Sequence, residues 1–400
     1  MPSSLINALA RQMEPLPTVD DPWEIPELPT LVAALAQVPD PRGVRGRRYA
    51  FVFLLTVSVV AVLCRVRSLL GIARFIRGAD RHLLAALGLP DESAWAAPAD
   101  STLGRAFAHT DADALDEAAG RWLRQVLALG KPPVITARPP LQGLAFDGKV
   151  LRAAAQAGAC DPHLVAVVDH DSRTVLGQRA VDATSNEITA FAPALAGVDL
   201  VGCVVTADAL HTQRAHAELV YSRGGHYLLP VKHNQPTLYR ALDHLPWEHT
   251  PVAHTVTEQV RGRTETRQLT VLPAPADLPF PHAAQVLLIE RYVTGRGDGK
   301  IHCSADLAVT SAPWHLADPA ALACLVRGQW QIETVHLIRD VAYREDASRV
   351  RTGAAPRVMA TLRNLAVSII SLMNWPSVAQ AHDHYRDHPH HALQAIGLTT

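Results

Sequence analysis

Between residues 143 and 232 the chain alternates short apolar runs with amphipathic ones in the order β-β-β-α-β-α-β, and that order most limits its fold. GLAFDGKV, HLVAVVDH and TVLGQRAV read as consecutive strands, the last two parted by an Asp-Ser-Arg turn. NEITAFAPALAG reads as a helix and LVGCVVTADA as a buried strand. TQRAHAELVYSRGG reads as a helix closing on Gly224, and HYLLPVK as another strand. In this order the first strand lies beside the fourth. Asp147 and Asp208, each closing one of those strands, are then expected to be neighbours.

The flanks read differently. Residues 1–29 are proline-rich and read as a loose tail, whereas residues 30–130 carry three- and four-residue apolar spacing and no strand alternation. They predict an all-helical N-terminal domain, with Asp100 or Ser101 and Thr110 or Asp111 as N-caps. The apolar run from Ala50 to Cys64 falls short of the roughly 20 residues a membrane span needs, and Thr56 and Ser58 interrupt it. It predicts a buried helix and no membrane partner. KPPVITARPP (131–140) reads as a stiff linker. Residues 141–380 read as one catalytic domain, with a β-rich insertion at about 236–318 and a hairpin through Gly262. Beyond it, 381–400 reads as a tail whose histidines (HDHYRDHPHH) lack regular ligand spacing. The net charge of −1 does not announce a nucleic acid, so any DNA contact must be local. The five scattered cysteines predict buried thiols in the cytoplasm, not a disulfide framework.

Asp147, Asp208 and Glu333 carry the chemistry. A carboxylate at the end of a buried strand must be paired, metal-bound or exposed. Two such strands and a helix can gather three carboxylates around Mg²⁺ or Mn²⁺, the equipment for phosphoryl transfer on a nucleic acid backbone. Spacing alone is weak support, because Asp-Gly is a common turn pair and Asp340, Glu345 and Asp346 compete with Glu333. The surrounding words are more specific. FDGKVLR, TSNEI, TADALHTQ, GGHYLLPVKHNQPTLY, GRTETR, RGQWQIE and EDASRVRTG occur in that order. Together they resemble the DDE transposases of bacterial insertion sequences, in the branch of the H-repeat-associated proteins of Rhs elements. The resemblance implies a ribonuclease-H-like core, matching the order read from the pattern. It also implies a Mg²⁺-dependent triad at Asp147, Asp208 and Glu333 with two ions, and double-stranded DNA as partner, both terminal repeats and target. Joining two element ends implies a homodimer on DNA.

The chain departs from that pattern near the glutamate. Thr334 stands where many relatives have Asn, and His336 comes one residue early. Val326, Gln329 and Asp340 occupy positions expected to hold Tyr, Arg and Lys, and Thr184 replaces a lysine. Arg327 or Arg339 could supply the missing charge. Candidate DNA contacts are the cluster Arg42, Arg45, Arg47 and Arg48, then Lys149 and Arg152 beside Asp147. Lys232, Asn234 and Gln235, Arg263 and Arg267 on one strand face, Arg327, Arg349 and Arg351 complete the set. Two other functions compete: a metal-dependent nuclease that only cuts, and a catalytically silent DNA-binding relic.

Overall fold

The computed structural model describes residues 30–44, 47–89, 97–129, 141–152, 154, 161–260, 262–295 and 301–398. The expected tail at 1–29 and linker at 131–140 lie outside the described residues. Before the first strand come helices α1 (Leu31–Leu35), α2 (Phe51–Leu63), α3 (Leu69–Gly78), α4 (Arg81–Ala86), α5 (Asp100–Ala108) and α6 (Ala112–Leu129). The Thr30, Ser68 and Asp80 side chains cap α1, α3 and α4, while Asp111 accepts the Ala114 amide at the start of α6. Asp100 falls inside the first turn of α5, which has no side-chain cap. Helix α2 is buried along almost its whole length. It tolerates Thr56 and Ser58 because each hydroxyl donates back to a carbonyl one turn earlier, Val52 at 2.8 Å and Leu54 at 2.6 Å. Among the described residues no helix is long and apolar enough to cross a membrane.

The expected strand-helix order is present as β1 (Gln142–Val150), β2 (His163–Asp169), β3 (Val175–Ala180), α7 (Glu187–Leu195), β4 (Cys203–Thr206), α8 (Arg214–Ser222) and β5 (His226–Val231). After α9 (Pro236–Asp243) come β6 (His254–Val260), β7 (Arg263–Pro273), β8 (Gln285–Thr294) and β9 (Ile301–Thr310). All join one nine-stranded sheet in the order β3-β2-β1-β4-β5-β9-β8-β7-β6. β1 runs antiparallel to β2 and parallel to β4, with Ala145 opposite Thr206, so Asp147 and Asp208 sit at the same level two residues further on. β9 pairs antiparallel with β5, so the β-rich stretch extends the sheet. Gly262 turns between β6 and β7 at φ +78°, backbone that favours glycine.

Strand alternation divides the core. Leu144 and Phe146 pack with α7 and α8 on one face; Ala145 and Ala166 meet the N-terminal helices on the other. Those helices share that core with α11 (Trp330–Tyr343), α12 (Ala355–Leu372), α13 (Val378–Asp387) and α14 (His391–Ala395), which follow α10 (Pro319–Gly328). The C-terminal stretch expected to be a solvated tail is therefore corrected through residue 398. Tyr385, Leu393 and Ile396 bury their apolar bodies, and His382 bonds the Tyr343 hydroxyl at 2.8 Å. The expectation of uniformly buried thiols is corrected too: Cys64 and Cys203 are buried, but Cys303 and Cys324 are exposed, and Cys160 lies outside the described residues.

Candidate active site

Asp147, near the end of β1, is about a quarter exposed. Burial, joined by the charges of Glu187, Asp208 and Glu333, pushes its carboxyl up to about 6 against the pull of the Gly148 amide. Three carboxylates from widely separated segments thus act on Asp147. Asp208 caps the short turn Ala209–His211, its side chain accepting the Leu210 amide at 2.9 Å, and remains 56% exposed. Glu333 lies exposed in the first turn of α11. His336, one turn on, places Nδ1 3.7 Å from the Asp147 carboxylate. Burial and the nearby Arg339 and Lys149 charges hold that imidazole neutral, down to about 3.

The donor chemistry, oxygen ligands crowded by like charge, fits a hard divalent cation. Among the described residues, however, no three His, Cys, Asp or Glu side chains are arranged to hold an ion. Binding would have to draw the carboxylates in.

Glu187 was not among the sequence candidates, although its TSNEI phrase was noted. It opens α7 and accepts from His163 at 2.9 Å and His211 at 3.3 Å, which hold it down to about 2. It approaches β1 because position 148 is glycine. A Cβ there would lie 2.3 Å from the Glu187 carboxylate. His211 is wholly buried, edge-on to Phe146 and stacked on Phe191, with its Nε2 4.0 Å from Asp208.

The rivals of Glu333 are engaged elsewhere. Asp340 pairs with Lys149 at 2.7 Å, and Asp346 lies 3.8 Å from Lys149 and 3.9 Å from Arg152. Glu345 is buried between Arg339 at 2.7 Å and Arg363 at 2.9 Å. Arg327 pairs with Glu258 at 3.0 Å, so both candidate helper arginines already carry a carboxylate partner.

The candidate DNA contacts separate into two kinds. Arg42 grips Asp40 at 2.9 Å and the Tyr49 carbonyl at 2.6 Å, so it serves the loop before α2. Arg47, half-exposed, reaches Asp40 at 3.4 Å and donates to the Arg42 carbonyl at 3.0 Å, Arg48 is exposed, and Arg45 lies outside the described residues. Asn234 donates to the Ala209 carbonyl at 2.7 Å and Gln235 to that of Thr212 at 2.8 Å, bracing the turn that Asp208 begins. Lys232 lies 3.7 Å from Asp306. Arg267 joins Glu258 and the buried Glu265 in an ion-pair ladder, whereas Arg263, Arg349 and Arg351 are exposed. Arg152 is 78% exposed.

Comparison with known proteins shows the family. The family model described as "Transposase DDE domain" matches residues 138–369, more than half of the chain, and one described as "DDE_Tnp_1-associated" matches residues 32–123. "Putative transposase YncI" of Escherichia coli O157:H7 is 27% identical over 289 residues, 68% of this chain and 70% of that protein. "H repeat-associated putative transposase YhhI" of Escherichia coli K12 is 27% identical over 245 residues, 57% of this chain and 64% of that protein. Among solved structures, a piggyBac transposase synaptic complex with hairpin DNA aligns over 92% of this chain and 77% of that one. The two are 10% identical, with a TM-score of 0.42.

Proposed function

The chain belongs to the Transposase DDE domain family and is a DDE-type DNA transposase, and on that premise we propose that Asp147, Asp208 and Glu333 are its catalytic carboxylates. DDE transposases use divalent metal ions. Here the three carboxylates would hold two, Mg²⁺ or Mn²⁺, which when bound activate the attacking oxygen and stabilise the departing one. The observation that carries the reading is the parallel register of β1 and β4, which sets Asp147 and Asp208 side by side, with the Asp208 and Glu333 charges both acting on the Asp147 carboxyl. A cation relieves that repulsion.

The remaining residues orient. The cap on the turn Ala209–His211 fixes Asp208, and Asn234 and Gln235 hold that turn from the far side. Glu187 keeps His163 and His211 directed at the strand end. Lys149 is drawn toward Asp340 at 2.7 Å and Asp346 at 3.8 Å, while the Asp147 carboxylate faces the neutral His336 imidazole at 3.7 Å.

We assign the strands β1 to β5 to a ribonuclease-H-like core within a catalytic domain at 141–380, following a helical domain at 30–130. The antiparallel β3-β2-β1 run joined in parallel to β4 and β5 supports this assignment. DNA partners are double-stranded: the element's terminal repeats and its target. The exposed Arg47, Arg48, Arg152, Arg263, Arg349 and Arg351 are the phosphate contacts proposed.

Incubation of the full chain with duplexes ending in the repeats that flank its own coding region tests the activity. The expected result is a freed 3′-OH that joins target DNA in Mg²⁺ and neither product in chelator. Cutting without joining would favour the nuclease reading.

A further inference from the structure

Gln329 sits where three elements meet, one turn before Glu333. Its amide N–H donates to the Phe146 carbonyl at 3.1 Å, and its amide oxygen accepts the Thr206 hydroxyl at 2.5 Å. Phe146 immediately precedes Asp147 on β1, and Thr206 closes β4 two residues before Asp208. One side chain thus ties the start of α11 to both strand ends that bear an aspartate.

The bonds admit one donor sense. A hydroxyl has a single proton, so Thr206, donating to Gln329, must accept from His170 Nε2 at 3.0 Å. Burial keeps His170 neutral, and the bond then places its one ring proton on Nε2. Its ring is wedged between Gly143 and Gly328, where a Cβ would fall 2.0 Å and 1.9 Å from Nδ1. The family pattern expects arginine at position 329. Arginine has no acceptor for the Thr206 proton, whereas glutamine both accepts and donates.

We infer that Gln329 is a positioning residue: through Thr206 and Phe146 it fixes the first turn of α11, and hence Glu333, against the strand ends carrying Asp147 and Asp208. The inference rests on the proposed triad.

Mn²⁺ binding to the full chain, followed by loss of the free-ion electron paramagnetic resonance signal, tests it, with circular dichroism melts to show folding. Gln329→Met and Thr206→Val should each weaken Mn²⁺ binding about 10- to 100-fold, as loss of a group supporting a metal ligand does. The double variant should bind no worse than the weaker single one, and Thr206→Ser should bind like the wild type. Wild-type affinity in folded Gln329→Met, or additive losses, would overturn the brace. Should Gln329→Met fail to fold, equal affinities in Thr206→Val and Thr206→Ser would overturn it. Glu333→Gln separates the two claims. If it binds Mn²⁺ normally, the triad fails and the brace with it; if it loses binding while Gln329→Met does not, only the brace fails.

Discussion

At the scale of single residues, burial and like charge decide what each carboxylate does. Asp147 is raised to about 6 and Glu187 lowered to about 2, although both face the same strand end. Burial raises Asp147 most and the other acids add to it, whereas hydrogen bonds from two histidines outweigh the burial of Glu187. A raised aspartate favours its protonated form in the fold. Its penalty is absent below the ordinary value of 3.8, grows as pH rises and is complete above about 6. Asp147→Asn should therefore stabilise the metal-free protein at pH 7.5, by on the order of 2 kcal/mol. That gain should vanish toward pH 4, and urea unfolding at the two pH values would check it. An equal effect at both would place Asp147 in a neutral, solvated setting. The three acids proposed as the triad stood out in the sequence because each lies in a recognisable phrase. Glu187 was visible only as a member of a phrase and Gln329 only as a departure from the family pattern, since their partners come from other segments.

At the scale of elements, the strand order was legible because strands buried on both faces are written as continuous apolar runs. Helices α13 and α14 were not, because their histidines and the intervening Pro389 mask the few apolar positions that bury, Tyr385, Leu393 and Ile396. The setting of α11 depends on charges that no periodicity shows. Glu345 is buried with Arg339 and Arg363, both within 2.9 Å, and joins the end of α11 to α12. Glu345→Ala would leave two guanidiniums buried and uncompensated, a loss of about 3–5 kcal/mol. Differential scanning calorimetry should show a large drop in melting temperature. A change within experimental error would mean that water already solvates the pair. A second buried set, Asp116 of α6 with Gln178 of β3 and Arg357 of α12, ties the N-terminal helices to the sheet, with contacts of 2.8 Å to each.

At the scale of the whole molecule, one sheet with helices on both sides gathers acids lying far apart in sequence, and the sum of charges says nothing of the DNA such a protein handles. Basic residues do stand near the site, but Lys149, Arg267 and Arg327 face carboxylates. Sequence alone could not separate such pairs from open phosphate contacts. One chain would supply one proposed triad, and joining two ends needs two, so the active unit is proposed to be a homodimer on paired ends. Light scattering on terminal-repeat DNA should show two chains per paired-end complex; strand transfer completed by a strictly monomeric species would contradict this. The central claim, that Asp147, Asp208 and Glu333 form the catalytic site, is tested most directly by strand transfer with their amide variants beside Asp340→Asn. Each triad variant should fold, bind terminal-repeat DNA and lose cleavage and joining by orders of magnitude, while Asp340→Asn keeps measurable activity. Full activity in Asp147→Asn or Asp208→Asn would contradict the account, and full activity in Glu333→Gln with none in Asp340→Asn would move the third carboxylate to Asp340.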